Sequence, residues 1–334
     1  MAKKEPCNSC EKFKTMIGGQ ALIEGIMMRG PEKDAIVCRT KDGLNLEVSE
    51  RKLPGEKSPL KWPLIRGVVN FFDSQVTGVR ALLRSADLSP DENLDTEPSK
   101  LDTWLEKKLG SEKFQQLLIY SAAVLGLLLS IGLFFLLPMI IGGLFDGVVR
   151  SMVGINLIEG LVRMVLFMSY MVLISRMNEM KRLFAYHGAE HKTIRCYEAK
   201  LPLTVENVRE QTRLHPRCGT SFLLVVMILS ILVFSVASSV LLELAPGLAA
   251  IRGSFLYRLA MIAFKLLMLP LVVSIAYEIN RWVGRNDNAF TRILTAPGLW
   301  MQNFTTNEPD DDMIEVAIAA VNAVLPQQEG ADEW

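Results

Sequence analysis

Residues 117–145 read LLIYSAAVLGLLLSIGLFFLLPMIIGGLF. Leu117–Phe145 contains no charged side chain, and only glycines, small hydroxyls, one tyrosine and Pro138 interrupt the apolar run. A bilayer core of ~30 Å needs about 20 helical residues to cross it, so this run predicts a transmembrane helix. At that depth no water is present to satisfy backbone N–H and C=O groups, which excludes an irregular crossing. Ser221–Leu242 is equally free of charge. Val153–Ser175 and Phe255–Ile279 are long enough but carry Glu159 and Arg163 in one, and Arg258 and Lys265 in the other. The expectation is an α-helical multi-pass membrane protein with four transmembrane helices.

The loops between these runs set an orientation. Residues 176–220 hold nine Lys and Arg side chains, whereas the other two connections offer Arg150 and Arg252. By the positive-inside rule the 176–220 loop and both termini are cytoplasmic, in the cell membrane. Half of the 334 residues are hydrophobic and the formal net charge is zero, so no global field favours nucleic acid as a partner. Mean hydropathy is +0.26, high for a soluble chain of this length. Five scattered cysteines do not make a disulfide framework and suit reduced, cytosol-facing thiols.

Working outward, residues 1–15 read as a flexible tail; its Cys7-x-x-Cys10 pair lacks the second pair of a zinc site. Residues 16–62 have β character. Asp42-Gly43 supplies a hairpin turn, and Leu44, Leu46 and Val48 alternate with Asn45, Glu47 and Ser49. Gly18-Gly19-Gln20 reads as a backbone turn ahead of a strand. Residues 63–88 have helical spacing with Arg66, Arg80 and Arg84 on the polar side. That amphipathic helix lies in the bilayer interface or packs on the protein; its pattern alone does not choose. Residues 89–116 form an acidic linker and a pre-membrane helix. In the tail 280–334, Trp282 and Trp300 are interfacial anchor candidates. A last helix is capped by Asn307 with Pro309 near its start, and its apolar face is Ile314, Ile318, Val321 and Leu325.

All three histidines of the chain lie within the 176–220 loop. His187 and His191 belong to H-G-A-E-H with Glu190 between them, and His215 opens H-P-R-C, ending at Cys218. On a helix, positions i, i+3 and i+4 share a face, so two imidazoles and a carboxylate project together. That set suits a divalent ion, with zinc the leading expectation: His187, His191 and His215 as ligands and Glu190 as general base. Cys218, Glu198 and Glu278 are alternative ligands, and adding Cys218 to three histidines would close the tetrahedron into a structural site. Arg195 or Arg217 is expected to stabilise an oxyanion. Glu159 and Arg163, four residues apart, are placed to neutralise each other on one helix face. With Lys265 they read either as a polar pathway or as a buried ion pair that fixes packing.

The stretches GGQALIEGIMMRGP, YHGAEHKTIRCYEA, HPRCGTSF and NEPDDDMIEVAIAA together resemble the YqhQ-like family of bacterial membrane proteins, which carry domain of unknown function 1385. The resemblance runs from Ile17 to Leu325 and implies a metal-dependent enzyme. H-x-x-E-H is also the inverted-zincin signature, in which both histidines bind zinc and the glutamate activates water. The expected function is thus an integral membrane metalloprotein acting as a zinc-dependent hydrolase at the cytoplasmic membrane surface. The alternative is a non-catalytic adaptor whose structural metal site staples the loop while a cytosolic or membrane protein partner binds elsewhere.

Overall fold

The computed structural model describes residues 13–51, 55, 58–88, 111–145, 147–149, 151–286, 288–328 and 330–333. The Cys7–Cys10 pair and residues 89–110 of the linker lie outside them. The chain divides into two compact units, one of Met1–Ser89, Met171–Val225 and Val273–Trp334, the other of Pro90–Tyr170 and Val226–Val272.

The first unit is built on a four-stranded antiparallel meander, β1 (Gly18–Leu22), β2 (Gly25–Arg29), β3 (Lys33–Thr40) and β4 (Gly43–Glu50). The β3–β4 hairpin turns over Lys41-Asp42 and closes on the pair Thr40↔Gly43. Gly43 adopts φ 122°, a conformation that glycine alone takes without penalty. The run expected as one β segment with a leading glycine turn is instead a second hairpin. Gly18 and Gly19 are strand residues, paired with Arg29 and Met28. The reversal falls at Ile23-Glu24, where Glu24 takes φ 49° and its carboxylate is gripped by Arg182 and Tyr186.

Both faces of this sheet are covered because β2 and β3 are apolar on both sides. Ile26, Met28, Ala35 and Val37 pack against Ala185, Tyr186 and Ala189 and against the last helix. Leu22, Met27 and Ile36 pack on the other side beneath Ala81. Burying a side chain of this size is worth ~1.5–3 kcal/mol. The edge strand β4 leaves Leu44, Leu46 and Val48 exposed in spite of their clean alternation.

The helices follow in chain order: α1 (Ile65–Leu88), α2 (Ser111–Ile131), α3 (Leu137–Gly143), α4 (Met152–Ile174), α5 (Asn178–Glu198), α6 (Val205–Arg209), α7 (Gly219–Leu244), α8 (Pro246–Ala250), α9 (Phe255–Arg285), α10 (Ala289–Thr305) and α11 (Asp311–Val324). Among the described residues four stretches are long and apolar enough to cross a membrane: Ser121–Gly143, Met152–Ile174, Gly219–Leu244 and Phe255–Arg285. The last helix starts later than its sequence implied. Asp310 is the cap residue, while the Asn307 backbone N–H donates to the Phe184 carbonyl and its side-chain amide to that of Lys181. α11 is buried along one broad face, with Asp311, Asp312, Glu315 and Asn322 exposed on the other, and its alanines let it lie close on the sheet.

In the second unit Glu159, Arg163 and Lys265 of the apolar helices are satisfied across helices rather than along one. Glu159 does not pair with Arg163; it binds Lys265. The Arg163 Nε donates to the Phe134 carbonyl at 2.8 Å and its Nη1 to Ser230 Oγ at 3.4 Å, with the guanidinium 5.1 Å from the Phe135 ring centre. Phe134 lies in a π-helical turn, Gly132–Leu136. Such a turn shifts the backbone pairing by one residue and leaves a carbonyl short of its usual donor; Arg163 supplies one.

Candidate metal centre

Helix α5 carries the H-G-A-E-H motif into the first unit and buries most of its second half. Gly188 is the point of closest approach: a Cβ there would stand 2.0 Å from the Asn307 carbonyl oxygen. The segment joining α10 to α11 therefore lies directly on α5, beside the motif. One helical turn places His187, Glu190 and His191 along one wall of a cleft of about 650 Å3. Gly19, Cys218 and Phe71 contribute to its other sides.

The rings of His187 and His191 pack edge to face with centres 4.4 Å apart. Each is held by a carbonyl at Nδ1, Thr305 O at 2.7 Å for His187 and Arg213 O at 2.6 Å for His191. The Nδ1–H that these carbonyls fix leaves Nε2 as the atom that can bind a metal once it carries no proton, the usual arrangement behind a metal-binding imidazole. The His187 Nε2 lies 3.3 Å from Cys218 Sγ. One donor atom from each of His187, His191 and Cys218 fits within 4.8 Å of the others, a spacing suited to a shared metal ion.

Cys218 sits at the positive end of α7. Its carbonyl accepts from Ser221 N at 3.1 Å, and its sulfur takes the Thr220 N–H at 3.5 Å. Burial opposes ionisation of this thiol, but the imidazoles of His191 and His187 prevail and hold it well below the usual thiol range. Burial likewise disfavours the His187 imidazolium, yet the Cys218 sulfur beside it raises that group to about 9. Glu190 is only 4 % exposed. Its Oε1 accepts the Gly19 N–H at 3.0 Å, and its Oε2 is buried with no hydrogen-bond partner. Burial raises this carboxyl above the usual range despite both histidines.

His215 stands apart from the three-residue group. Its ring centre is 5.6 Å from that of His191, but its Nε2 lies 3.3 Å from a Glu198 carboxylate oxygen. Burial drives His215 down to about 4, so at neutral pH this contact is a hydrogen bond donated by a neutral imidazole. The charge on Glu198 is met by Arg217 instead. Arg217 lines the cleft with its guanidinium directed to Glu198. The Arg195 Nε donates to the Leu214 carbonyl at 2.6 Å, and Glu278 is taken by Arg66.

Several participants carry no sequence signal. Thr305 and Arg213 act through backbone oxygens. Gln302, wholly buried, spans His215 N at 2.8 Å and His215 O at 2.7 Å and so fixes the H-P-R-C turn. Gly19 had a discernible clue, a glycine pair beginning a strand. A Cβ there would meet the Met27 carbonyl at 2.6 Å and the Glu190 carboxyl carbon at 3.1 Å. Only glycine lets the strand approach the acid closely enough to donate to it.

Fold and site together define a class: a mostly helical protein with four membrane-length apolar helices among the described residues, whose small α+β unit carries a largely buried His–His–Cys group beside an unpartnered carboxylate oxygen. The chain belongs to the family described as "Protein of unknown function (DUF1385)", whose profile matches residues 62–327. It is 32 % identical over 324 residues to "Uncharacterized protein YqhQ" of Bacillus subtilis (strain 168), covering 95 % of this chain and 94 % of that one. No solved structure matches.

Proposed function

We propose that this chain is an integral protein of the cell membrane that holds a divalent ion, zinc by its donor set, and hydrolyses an ester or amide bond at the cytoplasmic surface. The four apolar helices support the membrane assignment. The excess of Lys and Arg in residues 176–220 supports a cytoplasmic cleft and cytoplasmic termini. His187, His191 and Cys218 are the ligands; three protein donors are the count of a catalytic zinc site rather than a closed structural one. The bound ion would polarise the scissile carbonyl and acidify water.

The observation that carries this reading is the buried, unpartnered Oε2 of Glu190 beside the ligand cluster. An orphaned carboxylate oxygen costs about 1–3 kcal/mol, and a scaffold site gains nothing from bearing that cost. Glu190 is held by Gly19 N–H through one oxygen, which leaves the other to accept a proton from the attacking water and return it to the leaving group. The depressed Cys218 thiol is ready to bind as thiolate, and the ion takes over the positive charge that a proton on His187 otherwise supplies.

Metal analysis of the purified protein tests this. About one ion per chain is expected in the wild type and in Glu190→Gln, and almost none in His187→Ala, His191→Ala or Cys218→Ala. Hydrolysis of ester or amide substrates presented in proteoliposomes is expected to fall by roughly 10²–10⁴ in Glu190→Gln with the metal retained. The same metal-free result for the wild type and all variants overturns the proposal. The Cys218–His187 contact then favours a second reading, a thiolate–imidazolium nucleophile, which selective alkylation of Cys218 would reveal.

A further inference from the structure

Two helices of the first unit pack inside out. α1 turns Gly67, Gly78, Ala81 and Ser85 to the protein, while Phe72 (57 % exposed), Val76, Val79 (56 %) and Leu83 face away. At 100° per residue the two sets lie on opposite sides of the helix. α10 does so in large part: Thr291, Gly298, Gln302 and Thr305 are buried together with one large apolar residue, Met301, and Phe290, Ile293 (70 %) and Trp300 (57 %) are exposed. In a water-soluble protein the large apolar side chains would occupy the interior face and the small or polar ones the surface.

Both helices are fastened to the ends of membrane-length helices. Gly67 lies so close on α9 that a Cβ would stand 2.9 Å from Ser274 Cα, and Ser274 Oγ donates to the Leu64 carbonyl at 2.5 Å. Arg66 binds Glu278 one turn further on. Gly298 of α10 lies on the start of α7, where a Cβ would meet Ser221 Cα at 2.8 Å. Gln302 adds a contact to Ser221 Oγ at 3.3 Å. The small-residue faces of α1 and α10 are thus turned to α9 and α7, and the apolar stripes face away from them. Lys61 stands exposed in the turn before α1, and Arg80 on α1 itself, cations that suit an anionic headgroup layer.

We propose that α1 and α10 are lipid-contacting helices whose exposed apolar faces sink into the headgroup–acyl boundary of the bilayer, as a pair of interfacial anchors bracketing the His–His–Cys cleft. The inference rests on the reading that the four apolar helices cross a membrane, and is independent of whether a metal is bound.

Single-tryptophan proteins in nanodiscs containing anionic lipid test it. Val76→Trp and Phe72→Trp report α1, native Trp300 reports α10, and Leu267→Trp, on the exposed side of α9, reports the membrane assignment; the remaining tryptophans are replaced by phenylalanine. Expected is blue-shifted emission from the α1 and α10 sites. Lipid brominated near the headgroup should remove about half of it, in keeping with insertion to ~5–10 Å, and soluble acrylamide should quench little. Leu267→Trp is quenched by lipid brominated deeper in the chain. Quenching of Leu267→Trp alone, with α1 and α10 open to acrylamide, overturns the anchors and leaves the membrane assignment standing. Blue-shifted α1 and α10 emission untouched by bromine also overturns them, since a protein surface rather than lipid then covers the stripes. No quenching at Leu267 removes the membrane assignment itself. Two α1 positions guard against loss of folding in either variant.

Discussion

The two units each bury a cluster of charge, and they treat it differently. In the second unit, Glu159 meets Lys265, and Arg163 spends its donors on the Phe134 carbonyl and Ser230. Among the described residues none of the side-chain atoms of these three is buried without a partner. In the first unit, Glu190 is as deeply buried as Glu159, yet one of its oxygens has no hydrogen bond, and the group lies within electrostatic reach of two imidazoles and the Cys218 sulfur. Completed pairing is what a packing device requires, because an uncompensated buried charge is costly. Incomplete pairing at a cleft is what a reacting or ligand-binding group requires. The contrast moves Glu159, Arg163 and Lys265 toward structure and Glu190 toward chemistry.

Three substitutions would break or sharpen that contrast. The largest effect is expected from Glu159→Ala, which strands Lys265 among apolar side chains: a loss of about 3–5 kcal/mol in unfolding measured in detergent or nanodiscs, largely recovered when Lys265→Met is added. No recovery in the double variant would mean the pair does more than neutralise itself. Next is Arg163→Met, which keeps the apolar stem but removes the donor to the Phe134 carbonyl; about 1–3 kcal/mol of stability should be lost. The smallest effect is expected from Glu190→Gln, where only the bond from Gly19 N–H is weakened and a burial penalty is relieved. Stability should stay within about 1 kcal/mol of the wild type. A drop as large as that of Glu159→Ala would erase the distinction and make Glu190 a structural acid.

Much of this was legible in advance, for reasons that differ by element. The four apolar helices follow from length and composition, which need no knowledge of neighbours. The β3–β4 hairpin follows from local turn chemistry at Gly43. The shared face of His187, Glu190 and His191 follows from helical period alone. What escaped detection depends on contacts distant in sequence. Glu159 and Arg163 have ideal i, i+4 spacing, but Lys265 lies nearer in space and outcompetes the local partner. His215 and Cys218 sit three residues apart in one turn; Gln302 and Glu198 capture the histidine, and the start of α7 directs the cysteine to the pair. Asn307 resembled a helix cap, but α5 claimed it. α1 displayed its amphipathic pattern plainly. Which face would turn outward depended on glycine contacts to α9 that spacing does not reveal.

The carbonyl that sets the tautomer of His187 belongs to Thr305, 118 residues later in the chain, and Asn307 presses on Gly188 from the same strap. During synthesis the histidines, the thiol and the acid all leave the ribosome long before that strap does. Nascent chains stalled or cut before about residue 305 would therefore leave the His187 ring without its carbonyl partner, while His191 already has that of Arg213. Completion of the pocket around His187 becomes a late event, timed by release of the final segment rather than by emergence of the motif itself.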